Sequence, residues 1–170
     1  METLKAIRTR TSVKNYLEKP VDDAIITKVI NAGLEAPSAR NLRPYKVFVI
    51  KNRHVLMDIA SLSPAKLMLN KAPVALCVVG DSLINSDVFY LQQDCSAVTE
   101  NMLVAANSLG LGTCWLGVSP NSQEFHDKLA KILELDNNHI IVSLVALGYA
   151  SGDFKPKEGR YTRNEIITIE

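Results

Sequence analysis

The sequence predicts one domain of the α/β or α+β class, a β-sheet covered by helices with one long helix at its centre. Three observations carry this expectation. Residues 74–79 are continuously apolar, as in a strand buried on both faces. Residues 87–109 set Leu91, Cys95, Val98, Met102, Ala105, Ala106 and Leu109 three or four positions apart, the period of a helix with one buried stripe. Elsewhere helix-like and strand-like segments interleave, so helices must cover the sheet.

Taken in order, Asp22 is placed to cap a helix reaching about Ala36, because Ile25, Ile26, Val29, Ile30 and Leu34 recur at helical spacing and Pro37 stops it. Residues 46–50 are rich in β-formers and read as a strand, 55–61 as a short helix, and Pro64 opens a turn. The strand over 74–79 ends at Gly80-Asp81. At ~1.5 Å per residue the helix over 87–109 exceeds about 30 Å, and Gly110 terminates it. A strand at 113–116, a helix at 123–133 capped by Asn121 or Ser122, and a buried strand at 140–147 follow. Residues 151–163 are polar, with Gly152, Pro156 and Gly159, before Ile166, Ile167 and Ile169 suggest a last strand. Reached by a polar arm, that strand folds back on its own sheet or crosses to an edge strand of a second copy.

The chain has 170 residues, 47% of them hydrophobic, enough for a single core over residues 1–170 with no internal boundary. Nineteen cations balance 18 acids, for a formal net charge of +1, and no basic run argues for nucleic acid. Small molecules or copies of the chain itself are the expected partners. Cys77, Cys95 and Cys114 are odd in number, lie in apolar stretches, and form neither a C-x-x-C pair nor a Cys/His cluster. They read as buried thiols in a reducing compartment, with no metal site. The N-terminus lacks a signal-peptide core and no apolar run approaches the ~20 residues of a membrane span, so a cytoplasmic location is expected. His54, His126 and His139 are far apart and read as surface or helix-end residues rather than catalytic ones.

Two peptides stand out as candidate chemistry. Arg10-Thr11-Ser12-Val13-Lys14 groups cations with hydroxyls, and if it is extended the side chains of 10, 12 and 14 share one side. A phosphate monoester is well held by such Arg, Lys and hydroxyl donors. The second peptide, residues 36–45, is a polar loop bracketed by Pro37 and Pro44 ahead of a strand. No G-x-G-x-x-G follows a strand, and neither a P-loop nor a G-x-S-x-G motif occurs, which disfavours Rossmann, P-loop and hydrolase readings. Nor is there a dedicated acid-base pair or activated nucleophile. An enzyme built this way takes its reactive chemistry from a cofactor.

In order along the chain, these segments resemble the nitroreductase family of FMN-dependent flavoproteins over nearly the whole length. The carrying motifs are Arg10-Thr11-Ser12-Val13-Lys14-Asn15-Tyr16; Ala36 through Tyr45, close to A-P-S-A-G-N-L-Q-P-W; Ala72-Pro73-Val74; Gly110-Leu111-Gly112-Thr113-Cys114-Trp115-Leu116-Gly117; and Leu147-Gly148-Tyr149 before a basic tail. The resemblance implies an α+β, three-layer fold with a central mixed, mostly antiparallel sheet flanked by helices, and a C-terminal strand arm exchanged in a homodimer. It implies FMN as cofactor and NAD(P)H as reductant, with a ping-pong hydride transfer through flavin N5 to nitroaromatic, quinone or similar acceptors. By the same similarity Arg10, Ser12 and Lys14, with Thr11 between them, hold the FMN phosphate and nearby ring edge, and Arg160 closes from the tail. Pro37, Ser38, Ala39 and Asn41 come from the other subunit, so the flavin lies at the dimer interface. Trp115 and Leu116 line one side of the isoalloxazine, while the backbone of Gly117 donates to N5 and no side chain is a dedicated catalyst.

The chain departs from the family pattern at Arg40, Arg43, Tyr45 and Val118, where Gly, Gln, Trp and Gly are usual. Only about seven residues separate the strand over 74–79 from the long helix, so the cover present in larger members is missing and the pocket is expected to be open. A specialised reaction on the same fold, such as reductive dehalogenation, and non-catalytic FMN storage are the alternatives.

Overall fold

Every residue of β2 (Val74–Asp81) is buried, and this strand lies inside the sheet, as its unbroken apolar run requires. The structure, a computed structural model, describes residues 1–118, 123–152, 167 and 169. β1 (Tyr45–Ile50), β2, β3 (Gly112–Gly117) and β4 (His139–Gly148) lie in the order β1-β2-β4-β3, each neighbouring pair antiparallel. The one parallel pairing among the described residues is an isolated bridge between Ser12 and Thr113.

Alternation along the strands divides the core into two layers around the sheet. Ala75, Cys77 and Val79 of β2 meet α3 (Arg53–Ser61), the 3₁₀ segment Pro64–Asn70 and α5 (Gln123–Ile132), through Leu56, Ile59, Leu69 and Leu129. Val74, Leu76 and Val78 meet α2 (Asp23–Leu34) and α4 (Val88–Ser108), through Ile26, Val29, Leu91, Val98 and Met102. A bulge where Val78 pairs with Ser143 but Val79 with Ile141 leaves Val142 as the extra residue on β4. It shifts the phase of alternation, which is how Ile141 shares a face with Leu144 and Ala146.

Both long helices begin on a capping carboxylate. Asp22 accepts from the Ala24 N–H at 2.8 Å and Asp87 from the Phe89 N–H at 3.0 Å. The predicted stripe of α4 is buried from Leu91 to Ala106 except for half-buried Ala105, whereas Leu109 lies past the last turn and is exposed. Gly110 follows at φ 80°, the left-handed turn that ends such a helix. No helix is predicted before Asp22, yet α1 (Thr3–Thr9) forms. Asn107 of α4 holds it, with Nδ2 donating to the Ala6 carbonyl at 2.8 Å and to Thr9 Oγ1 at 2.9 Å.

Cys77, Cys95 and Cys114 are free and buried, as expected. His54 lies in the first turn of α3 and His126 within α5. His139 departs from the surface or helix-end role expected of it. It opens β4 opposite Asp81, its side chain is only 5% exposed, and its ring packs edge-on against Phe48 with centroids 6.0 Å apart. Arg160, the polar arm beyond Gly152 and the cap candidates Asn121 and Ser122 lie outside the described residues, as does most of the expected last strand. Among the described residues no helix is long and apolar enough to cross a membrane, and no group of three His, Cys, Asp or Glu side chains could hold a metal ion.

Candidate active site

Gly112 admits the N-terminal segment to the edge of the sheet: a Cβ there would stand 2.6 Å from Val13 Cγ2 and 2.9 Å from Val13 Cβ. The Val13 N–H donates to the Thr113 carbonyl at 2.8 Å and Ser12 bridges Thr113, so residues 10–14 run extended beside the start of β3. Val13 is buried while Ser12 and Lys14 are exposed, the alternation expected of an extended segment. Arg10 ends α1, half-buried, with Nε 3.6 Å from Glu100 Oε1. Thr11 between them is half-buried. Tyr16 anchors the far end, its hydroxyl donating to the carbonyls of Val13 at 2.8 Å and Ala146 at 3.3 Å. Burial pushes this phenol well above its usual range, so it stays a neutral donor.

Cys114 marks where these groups converge. Burial pushes its thiol up, against a hydrogen bond from Ser12 and the positive charges of Lys14, Lys66 and Arg10. Arg10, Ser12 and Lys14 are thus brought together, and a third cation that the sequence did not single out joins them. Lys66 is buried, donates from Nζ to the Gly117 carbonyl at 2.6 Å, and stands 5.4 Å from the Phe125 ring centroid. Burial lowers its pKa. The only sign of it in the sequence is a cation inside an apolar stretch. The three-residue period of a 3₁₀ segment puts Lys66 on the same side as buried Leu69.

Of these groups Lys14, Lys66 and Cys114 border a cavity of about 780 Å³ with Trp115, Leu116 and Gly117, while Arg10 and Ser12 are not part of its lining. That lies in the size range of cofactor sites, ~300–1,000 Å³. Leu116 and Cys114 point to the layer of α3 and α5, whereas Trp115 packs toward α2 and α4. Trp115 therefore reaches the cavity from the opposite face. A Cβ on Gly117 would meet nothing within 4 Å, so no neighbour in this chain demands glycine there. The space before its backbone belongs to the cavity.

The loop of Pro37, Ser38, Ala39 and Asn41 is elsewhere. It leads into β1 at one edge of the sheet, three strand spacings, roughly 14 Å at ~4.8 Å each, from β3 at the other. None of its residues borders the cavity. Its shape is held locally: the Ala39 N–H donates to Asp94 Oδ1 at 2.9 Å, the Arg43 N–H to Ser38 Oγ at 2.9 Å, and Arg43 Nε to Asn41 Oδ1 at 3.1 Å. Asp94 is a buried residue of α4 whose Oδ2 has no hydrogen-bond partner among the described residues. Arg40, Asn41 and Arg43 take left-handed backbone, with φ of 54°, 55° and 49°. Arg40 occupies the position where the family pattern has Gly, and it keeps the conformation that Gly would adopt freely.

Residues 7–75 and 64–149 match the family model described as the Nitroreductase family. The chain belongs to the nitroreductase family. Among nitroreductase relatives, a protein of Archaeoglobus fulgidus named "Putative NADH dehydrogenase/NAD(P)H nitroreductase" is 34% identical over 168 residues, 97% of this chain and 96% of that one. A crystal structure of a protein with the same name from Parabacteroides distasonis superposes with a TM-score of 0.92 at 33% identity, covering 98% of this chain and 96% of the other. A crystal structure of "a putative nitroreductase in complex with fmn", from Desulfovibrio desulfuricans, gives a TM-score of 0.87 at 26% identity, over 100% and 97% of the two chains.

Proposed function

We propose that this chain is an FMN-dependent oxidoreductase that uses NAD(P)H to reduce nitroaromatic, quinone or similar small-molecule acceptors, working as a homodimer of single-domain subunits. The observation that carries this reading is the cavity bordered by Lys14, Lys66, Leu116 and the uncovered backbone of Gly117, with Ser12 hydrogen-bonded to Cys114 on its wall. A phosphate monoester carries close to two negative charges and matches the guanidinium, ammonium and hydroxyl donors at one end. A flat ring matches the apolar strand surface at the other. The relative from Desulfovibrio desulfuricans, solved with FMN, supports the same ligand.

When bound, FMN would supply the redox chemistry, taking a hydride from NAD(P)H and passing it to the acceptor in turn. The chain's own residues bind and tune. Arg10, Thr11 and Ser12 hold the phosphate, with Arg160 joining from the tail. Lys14 and Lys66 place positive charge by the ring edge, which favours an anionic reduced cofactor. Trp115, Leu116 and the Gly117 N–H bound one face. Pro37, Ser38, Ala39 and Asn41 of a second copy close the other; their position at the far edge of the sheet in their own chain supports this arrangement. Free buried thiols fit a reducing cytoplasm.

The test is direct. The purified protein should carry or take up FMN with a flavin visible spectrum, bleach anaerobically with NADH or NADPH, and recolour on addition of a nitroaromatic or quinone. A protein that takes up no FMN overturns the reading. One that binds FMN without bleaching is a storage protein instead.

A further inference from the structure

Charge around the cavity of about 780 Å³ has one sign. Among the described residues Lys14, Lys66 and Lys71 border it, and no aspartate or glutamate does. None of the three lysines enters an ion pair among the described residues. We infer that the electron acceptor this cavity selects is an anion, a flat aromatic molecule that carries a carboxylate beside its reducible group. The inference rests on the function proposed above and adds to it the class of acceptor.

The argument is a balance of charge and solvation. In that function the FMN phosphate lies with Arg10 and Ser12, which stand beside the cavity and not on its lining. What enters the cavity is the ring, neutral when oxidised and singly negative when reduced. One ammonium answers the reduced ring, and Lys14 at the ring edge supplies it. Lys66 and Lys71 are left over. Lys66 is buried and spends one of its three N–H groups on the Gly117 carbonyl, at 2.6 Å, so two remain for an anion. Lys71 is exposed, just past the 3₁₀ segment Pro64–Asn70. A neutral acceptor filling the space would strip water from Lys66 and return nothing, whereas a carboxylate replaces the lost water with a charged hydrogen bond. Leu67, Met68 and Leu116 add an apolar surface that suits a flat ring and lowers the local dielectric. Clefts of one sign with such walls draw in the opposite charge and speed its association by ~10–10³-fold. NAD(P)H is an anion as well and feels the same field, so the acceptor has to be tested apart from it.

The compounds 4-nitrobenzoate and 4-nitrobenzamide have nearly the same shape and differ in charge. The carboxamide withdraws electrons more strongly, so intrinsic reactivity favours the neutral compound. Titrated calorimetrically into oxidised protein in saturating FMN with no reductant, 4-nitrobenzoate should bind about tenfold more tightly at an ionic strength of ~10 mM, and the difference should shrink toward nothing at ~1 M. Lys71→Gln should narrow the difference about threefold, the size expected of one exposed charge. Lys28→Gln removes the same charge from an exposed position of α2, in the layer on the other side of the sheet, and should leave the difference unchanged. Protein reduced by light in the absence of NAD(P)H should be reoxidised faster by 4-nitrobenzoate at low salt. An amide that binds as tightly as the carboxylate, a difference that survives ~1 M salt, or equal effects of Lys71→Gln and Lys28→Gln would each overturn the inference. FMN uptake is read separately from the visible spectrum, so failure of the flavin reading and failure of the acceptor preference are told apart.

Discussion

Gly112→Ala tests whether the anion-binding segment is positioned by its contact with β3. The added Cβ would meet Val13 Cγ2 at 2.6 Å, Cβ at 2.9 Å and Cγ1 at 3.0 Å. Carbon atoms in contact sit at ~3.5–4.0 Å, so the shortfall is roughly 1 Å. Because Val13 Cβ itself is too close, a change of rotamer gives no relief and the backbone must retreat. The 2.8 Å bond from the Val13 N–H to Thr113 then lengthens beyond hydrogen-bonding range. Overpacking of this kind costs about 1–3 kcal/mol, read from urea unfolding of the apoprotein. Ser12 and Lys14 move with Val13, so the FMN dissociation constant, read by quenching of flavin fluorescence, should rise about tenfold, equivalent to ~1.4 kcal/mol. Val13→Ala removes both Cγ atoms, and the double variant should show a favourable coupling of about 1 kcal/mol in stability, with FMN affinity partly restored. Strictly additive losses, or unchanged FMN affinity in Gly112→Ala, would refute the reasoning.

Four further outcomes are expected. Lys14→Met should make reduction of bound FMN harder, seen as a lower midpoint potential in anaerobic titration; an unchanged potential rejects that role. Asp81 is held at about 2, below its ordinary 3.8, chiefly by hydrogen bonds from Asn138 and Lys46. A depressed carboxylate stabilises above its unfolded pKa and loses that contribution as pH falls through the folded one, so Asp81→Asn should flatten the pH dependence of urea midpoints between about 4 and 2. Lys66 is shifted down by burial, so the unfolded chain binds its proton more tightly and stability should climb as pH rises toward the ordinary 10.5; Lys66→Met should lose that climb in the same assay. Asp94→Ala removes the acceptor of the Ala39 N–H and should weaken FMN about tenfold, ~1.4 kcal/mol, by fluorescence titration, while leaving the dimer intact by light scattering.

Periodicity made β2 and α4 legible because both are buried where their patterns say. β2 is covered on two faces, and α4 turns one stripe to the sheet. α1 was not legible because seven residues with Leu4 and Ile7 exposed carry no inward pattern; a side chain a hundred positions away, Asn107, holds it. The extended run that buries Val13 and exposes Ser12 and Lys14 was legible from alternation alone. Lys66 was not, since only the 3₁₀ turn of its segment brings that ammonium to the Gly117 carbonyl. The loop at residues 37–41 could be found by its polarity and prolines, but not its conformation. Left-handed backbone at Arg40 and Arg43 has no local signature when no glycine marks it. His139 was misjudged because its burial depends on a strand register, Asp81 against His139, that spans 58 residues of chain.

Trp115, the sole tryptophan of the sequence, borders the cavity proposed for the flavin. The protein therefore carries a single indole there, which red-edge excitation singles out from its five tyrosines. Light it absorbs can pass to a bound flavin, which shortens the lifetime of its emission. A single emission channel can thus follow the filling of that cavity in the unlabelled protein.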